Sequence, residues 1–123
     1  MPANQTAPVK RTTVVVADLT RSLAFYRDLL GMDVFFEGDI GNPGASGVTA
    51  VDCEDLRMVV LSVAGSELGM VGLMEIHGVK PPLAATQWDK RLKTGEAILV
   101  IPTENMQSLH EKMVAAGVCV VTP

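Results

Sequence analysis

A strand, a helix, a glycine and a Val-rich strand follow one another twice in this chain, and that repeat limits the fold more than any other feature. In the first copy, residues 11–17 (RTTVVVA) are short and β-branched, which predicts a strand. Asp18 is placed to cap the next element. Leu19, Leu23, Tyr26, Leu29 and Leu30 then recur at helical spacing, with one face toward a core. Gly31 predicts the helix end, and residues 33–37 (DVFFE) begin a second strand. In the second copy, residues 96–101 (EAILVI) predict a strand. Pro102 and Thr103 open a helix running to about residue 116, with Met106, Leu109 and Met113 inward. Gly117 closes it, and residues 118–121 begin a last strand. The step from the helical Leu to the closing Gly is the same in both copies, Leu23 to Gly31 and Leu109 to Gly117.

Between the copies, residues 38–47 (GDIGNPGASG) are rich in Gly, Asn and Pro and predict a loop. It has no Lys-Ser/Thr helix opening after it, so it is no phosphate loop. The following VTAVDCED fits a short helix or a strand. Residues 56–63 and 70–77 predict two strands joined by a turn at 64–69. Residues 78–92 contain Pro81, Pro82 and Trp88 and read as a connection, with one helical turn around 86–90. A length of 123 residues predicts one domain.

Charge and composition exclude several classes. Lys plus Arg is 10 and Asp plus Glu is 14, a net charge of −4. Such a chain lacks the basic, aromatic-studded surface that nucleic acid requires. No apolar run reaches the ~18 residues of a membrane span. The polar residues 1–10 do not resemble a secretory signal, so a cytoplasmic protein is expected. Cys53 and Cys119 form no disulfide framework and no metal-type spacing, and are expected to be reduced and mostly buried.

The segment TTVVVADLTRSLAFYRDLLGMDVFFE resembles the first module of the vicinal oxygen chelate superfamily, which includes glyoxalase I, bleomycin-resistance proteins and extradiol dioxygenases. LRMVVLSVAG and MVGLMEIHG are similar to the remaining strands of that module, and GEAILVIPTENMQSLHEKMVAAGV to the start of the second. The resemblance implies an α+β fold of paired βαβββ modules forming a cup-shaped mixed sheet. Module one would span about 9–78, a connection 79–94, and the start of module two 95–123. Further strands after Pro123 would complete the second module, whose sheet edge and apolar face are otherwise uncovered.

The resemblance also implies where chemistry sits. Family metal ligands lie on the first and last strands of each module, and the metal acts there as a Lewis acid. The first-strand position is Arg11, which carries a permanent charge and no acceptor and cannot ligate a cation. The fourth-strand position is Glu75, and the second module's first-strand position is Glu96. Both are candidate catalytic groups and candidate ligands of a divalent Zn, Ni, Mn or Fe. Arg11 is a candidate for gripping a ligand carboxylate or phosphate, or for pairing with Glu75 or Glu96. His77 shares a strand face with Glu75 and Leu73 by alternation, leaving Met74 and Ile76 toward the helix layer. His77 and Trp88 complete the candidate ligand-binding set, and His110 reads as a surface residue. The site model requires positions 11, 75 and 96 to converge in one concave pocket.

Three functions follow from the resemblance. One is a lyase or isomerase with a degenerate metal site, acting on a small oxygenated or thiol-conjugated molecule. Another is a metal-free small-molecule binding protein of the resistance type. An extradiol-type dioxygenase is disfavoured because its two-His-one-carboxylate set is missing. A homodimer is implied in each case.

Overall fold

In the computed structural model, residues 5–79, 82–83 and 91–121 are described. The chain divides into two compact units, Met1–Ala84 and Ala85–Pro123.

The first unit is a four-stranded mixed sheet with helices on it. Strand β1 (Arg11–Val15) is followed by helix α1 (Leu19–Leu23) and a π-helical segment (Ala24–Leu29). Then come β2 (Asp33–Gly41), helix α2 (Gly44–Thr49), β3 (Asp55–Ser62) and β4 (Met70–His77). The sheet order is β1-β4-β3-β2. β1 runs parallel to β4, while β3 is antiparallel to both β4 and β2. The first expected helix thus forms, but its second half widens: the Leu30 N–H reaches back to the Phe25 carbonyl. Gly31, at φ +78°, ends it, in a conformation that only glycine adopts without cost.

Two expectations about the β2–β3 connection are corrected. β2 continues to Gly41, and residues 44–49 form a helix instead of a loop. Side chains, not propensity, explain that helix. Asn42 Oδ1 accepts from the Ser46 N–H at 3.1 Å and from the Ser46 hydroxyl at 2.8 Å. The Asn42 amide donates to the Cys53 carbonyl. These bonds hold a Gly-containing turn that would not persist alone.

The sheet register sorts the side chains onto two faces. Thr12, Val71, Leu61 and Val34 share a row, as do Val14, Leu73, Val59 and Glu37. That face packs under α1, where Leu19, Met32, Val59, Leu61, Val71 and Leu73 are buried with Val14, Val16, Leu23 and Tyr26 against them. The other face carries Thr13, Gly72, Val60 and Phe36 in one row, then Val15, Met74, Met58 and Gly38 in the next. Leu56, Met58, Val60, Met70 and Met74 are buried there with Ala45 of α2 and Cys53. Met74 and Ile76 were expected toward the helix layer, and the helix they meet is α2, through Ala45, not α1. Both lie on the face away from α1, because they alternate along β4 with Val71 and Leu73, which are buried under α1.

In the second unit, α3 (Met106–Ala115) begins at Asn105, whose side chain accepts from the Ser108 N–H at 3.2 Å. Gly117 closes it at φ +76° as expected, with the Val118 N–H on the Met113 carbonyl at 2.9 Å. Leu109 and Met113 are partly buried, but Met106 is exposed and not inward. Residues 96–101 and 118–121 are not strands: no ladder partner for them exists among the described residues. Cys53 is a buried thiol, whereas Cys119 is exposed, and both are free. No helix among the described residues is long and apolar enough to cross a membrane.

Leu73 is fully buried in the central strand β4. Leu73→Ala is expected to cost about 2–5 kcal/mol, read as a lower urea midpoint with an unchanged slope.

Candidate functional site

The side chain of Glu75 does the work of a clamp. Leu19 opens α1 and is buried, so its N–H needs a partner that the helix cannot supply. Glu75 Oε2, from β4, accepts that N–H at 2.6 Å. Asp18 caps the same end and accepts from the Arg21 N–H at 3.2 Å. Two carboxylates thus meet the positive end of α1.

His77 extends the clamp to β3. Its Nε2 lies 2.7 Å from Glu75 Oε1 and its Nδ1 lies 2.6 Å from Asp55 Oδ1. Asp55 and His77 are register partners across β3 and β4. Hydrogen bonding from His77, then from the Leu19 N–H, holds the Glu75 carboxyl below its ordinary range. Hydrogen bonds to Glu75 and Asp55 raise the His77 imidazole above its own. The doubly protonated ring can donate to both carboxylates, and the neutral ring to one.

Arg57 continues this polar stripe toward the sheet edge. It stands across from Glu75 on β4 and Asp39 on β2. Its guanidinium reaches both Asp39 oxygens at 3.1 Å and Glu37 at 3.5 Å. These pairs are exposed and contribute little to stability.

Arg11 is not part of this group. It pairs with Met70 at the start of β4, and Glu75 stands an odd number of residues further along. An odd step in a strand reverses the face, and at ~3.3 Å per residue it separates the two positions by about 16 Å. The expected convergence of Arg11 and Glu75 is corrected: they lie at different ends of the strand and on opposite faces. The signal was hidden in the parallel register, which sequence alternation cannot supply. Glu75 and His77 do share a face, as expected, and Asp55 joins them without having been foreseen. The DCED run ahead of β3 is the only sequence hint of it.

Glu96 belongs to the second unit, where it is exposed and its N–H donates to the Lys93 carbonyl at 3.1 Å. Trp88 lies outside the described residues. His110 is exposed on α3, as expected. Among the described residues there is no group of His, Cys, Asp or Glu that could hold a metal ion. The donor chemistry agrees. Arg11, Thr13, Met70 and Gly72 offer no ligand set where the resemblance puts the first-strand ligand, and Glu75 is occupied by Leu19 and His77.

Comparison with known proteins gives a consistent picture of the scaffold. Residues 9–123 match the sequence family described as Glyoxalase/Bleomycin resistance protein/Dioxygenase superfamily. A glyoxalase family protein from Bacillus cereus is similar in structure, with a TM-score of 0.69 at 16% identity. The match covers 95% of this chain and 76% of that one. The trypanothione-dependent glyoxalase I of Leishmania major aligns with a TM-score of 0.63 at 23% identity, covering 91% and 68% of the two chains. No curated protein sequence matches the chain.

The clamp makes stability depend on pH from both sides. Glu75, depressed from about 4.5, contributes above that value and loses its contribution as pH falls through its folded pKa. His77, raised from about 6.5, contributes fully below that value and loses its contribution as pH rises through its folded pKa. The clamp's contribution is therefore greatest between about 4.5 and about 6.5. His77→Ala is expected to flatten the fall in Tm as pH rises above about 6.5 and to leave an acid limb from Glu75. Glu75→Ala leaves the Leu19 N–H unpaired and is expected to cost about 1–3 kcal/mol by urea denaturation.

Proposed function

The chain belongs to the glyoxalase/bleomycin resistance protein/dioxygenase superfamily, and from that premise we propose that it binds a small molecule without a metal, on the sheet face turned away from α1. The observation that carries this reading is Arg11 at the first-strand position, where a fixed positive charge replaces an electron-pair donor. Its row neighbour Met70 and the nearby Thr13 and Gly72 do not repair that loss. The reading also draws on Glu75, whose oxygens are taken by Leu19 and His77 on the other face. A lyase or isomerase would need a carboxylate free to move a proton near the ligand, and Glu75 is bound into the α1 clamp instead. Superfamily scaffolds support many chemistries, so the assignment follows the site and not the fold.

The same reading takes the protein as a homodimer. Ile98, Leu99, Val100 and Ile101 are exposed in the second unit. Such a run is an apolar surface that a second copy can cover.

Protein purified without a metal-affinity column is expected to carry less than about a tenth of a divalent ion per chain, and Ni²⁺, Zn²⁺ or Mn²⁺ in excess to leave its Tm unchanged. A stoichiometric ion, or stabilisation by one of the three, would sink the proposal.

A further inference from the structure

The face turned away from α1 has an unusual distribution of charge. Its rows running in from β1 are Arg11–Met70, then Thr13–Gly72–Val60–Phe36, then Val15–Met74–Met58–Gly38. Arg11 is the one charged side chain in these rows. Glu37, Asp39, Asp55, Arg57, Glu75 and His77 all stand in rows of the opposite face. Asp33 shares the face of Arg11, but from the far edge strand β2, three strand spacings or about 14 Å away.

The Arg11 guanidinium has no ion-pair or hydrogen-bond partner among the described residues. Nevertheless, its stem is not flung off the strand. A Cβ at Gly72 would meet Arg11 Cδ at 3.2 Å and Thr13 Oγ1 at 2.8 Å. Arg11 and Thr13 therefore both lean over β4 into the space that Gly72 leaves free. The stem rests on the sheet, and the head and a hydroxyl are held on one side of it. Exposed Val15 is the next residue of β1 on this face.

We propose that this place recognises a small monocarboxylate, held by the Arg11 guanidinium and the Thr13 hydroxyl above Gly72, with its apolar body toward Val15. The planar fork of arginine matches a carboxylate with two parallel N–H donors. One cation balances one negative charge. A phosphate monoester carries nearly two, and in a chain of net charge −4 the second would stand uncompensated. Arg11 and Thr13 are exposed at the strand end, so the fork geometry rather than exclusion of water favours the carboxylate. This assignment rests on the metal-independent reading above and adds the chemical class of the ligand.

The test is an NMR titration of the ¹⁵N-labelled full chain with octanoate, octyl phosphate and octan-1-ol. Octanoate is expected to give saturable shifts at the Thr13, Gly72 and Val60 amides. Octan-1-ol, which lacks the charge, is expected to bind about tenfold or more weakly, and Arg11→Gln to weaken octanoate about equally while leaving octan-1-ol unchanged. Because position 11 is exposed at a strand end, that variant keeps the fold, which its unshifted core amides would verify. No saturable shift with octanoate overturns the assignment, as does octyl phosphate binding more tightly than octanoate. If all three probes bind alike and Arg11→Gln changes nothing, the carboxylate assignment fails but small-molecule binding on this face stands. If Ni²⁺ or Zn²⁺ shifts these amides stoichiometrically, the metal-independent reading itself fails.

Discussion

The parallel register of β1 on β4 decides the rest of this structure. With Arg11 opposite Met70 and Val14 opposite Leu73, each side chain of the central strand is committed to one side of the sheet. Val71 and Leu73 go under α1, where they complete a buried layer with Val59 and Leu61. Glu75 follows them by alternation and so arrives at the first turn of α1, where an unpaired backbone donor waits. The carboxylate is thus a consequence of the hydrophobic pattern that precedes it in the strand. Once there, it links an element near the start of the chain to one more than fifty residues later. His77 adds a third point of attachment through Asp55.

Physical chemistry gives the two faces different tasks. Toward α1, apolar rows pass into a stripe of charges that satisfy one another or a helix end, and little charge there is free to act on a ligand. On the other face, buried valine and methionine pack with Ala45 and Cys53, and at the β1 end stand Thr13 and an Arg11 guanidinium unpaired among the described residues. An unpaired cation beside an apolar surface is a poor stabiliser of a fold.

Much of the fold was legible in the sequence. The β-branched run at 11–17, the leucine spacing from Leu19 and the two closing glycines are local signals, and each led to the right element. The superfamily motif extended them to the whole sheet. What failed was non-local or depended on side chains. Asn42 builds α2 through bonds to Ser46 and Cys53 that no propensity scale contains. Residues 96–101 have strand composition, yet a strand exists only with a partner to bond. The site suffered most. The shared face of Glu75 and His77 is legible because alternation is a local rule. The distance of Arg11 from them is not legible, because the offset between two parallel strands is invisible from either one alone.

That Gly72 carries no side chain has a consequence for how this protein can change over time. Substitutions at 11, 13 and 72 alter what meets a visitor on one surface, while the bonds that keep α1 in place run along the reverse. Selection can therefore rewrite the chemistry of the guest without renegotiating the architecture of the host. A lineage built on this plan can diversify its appetites quickly and keep its shape.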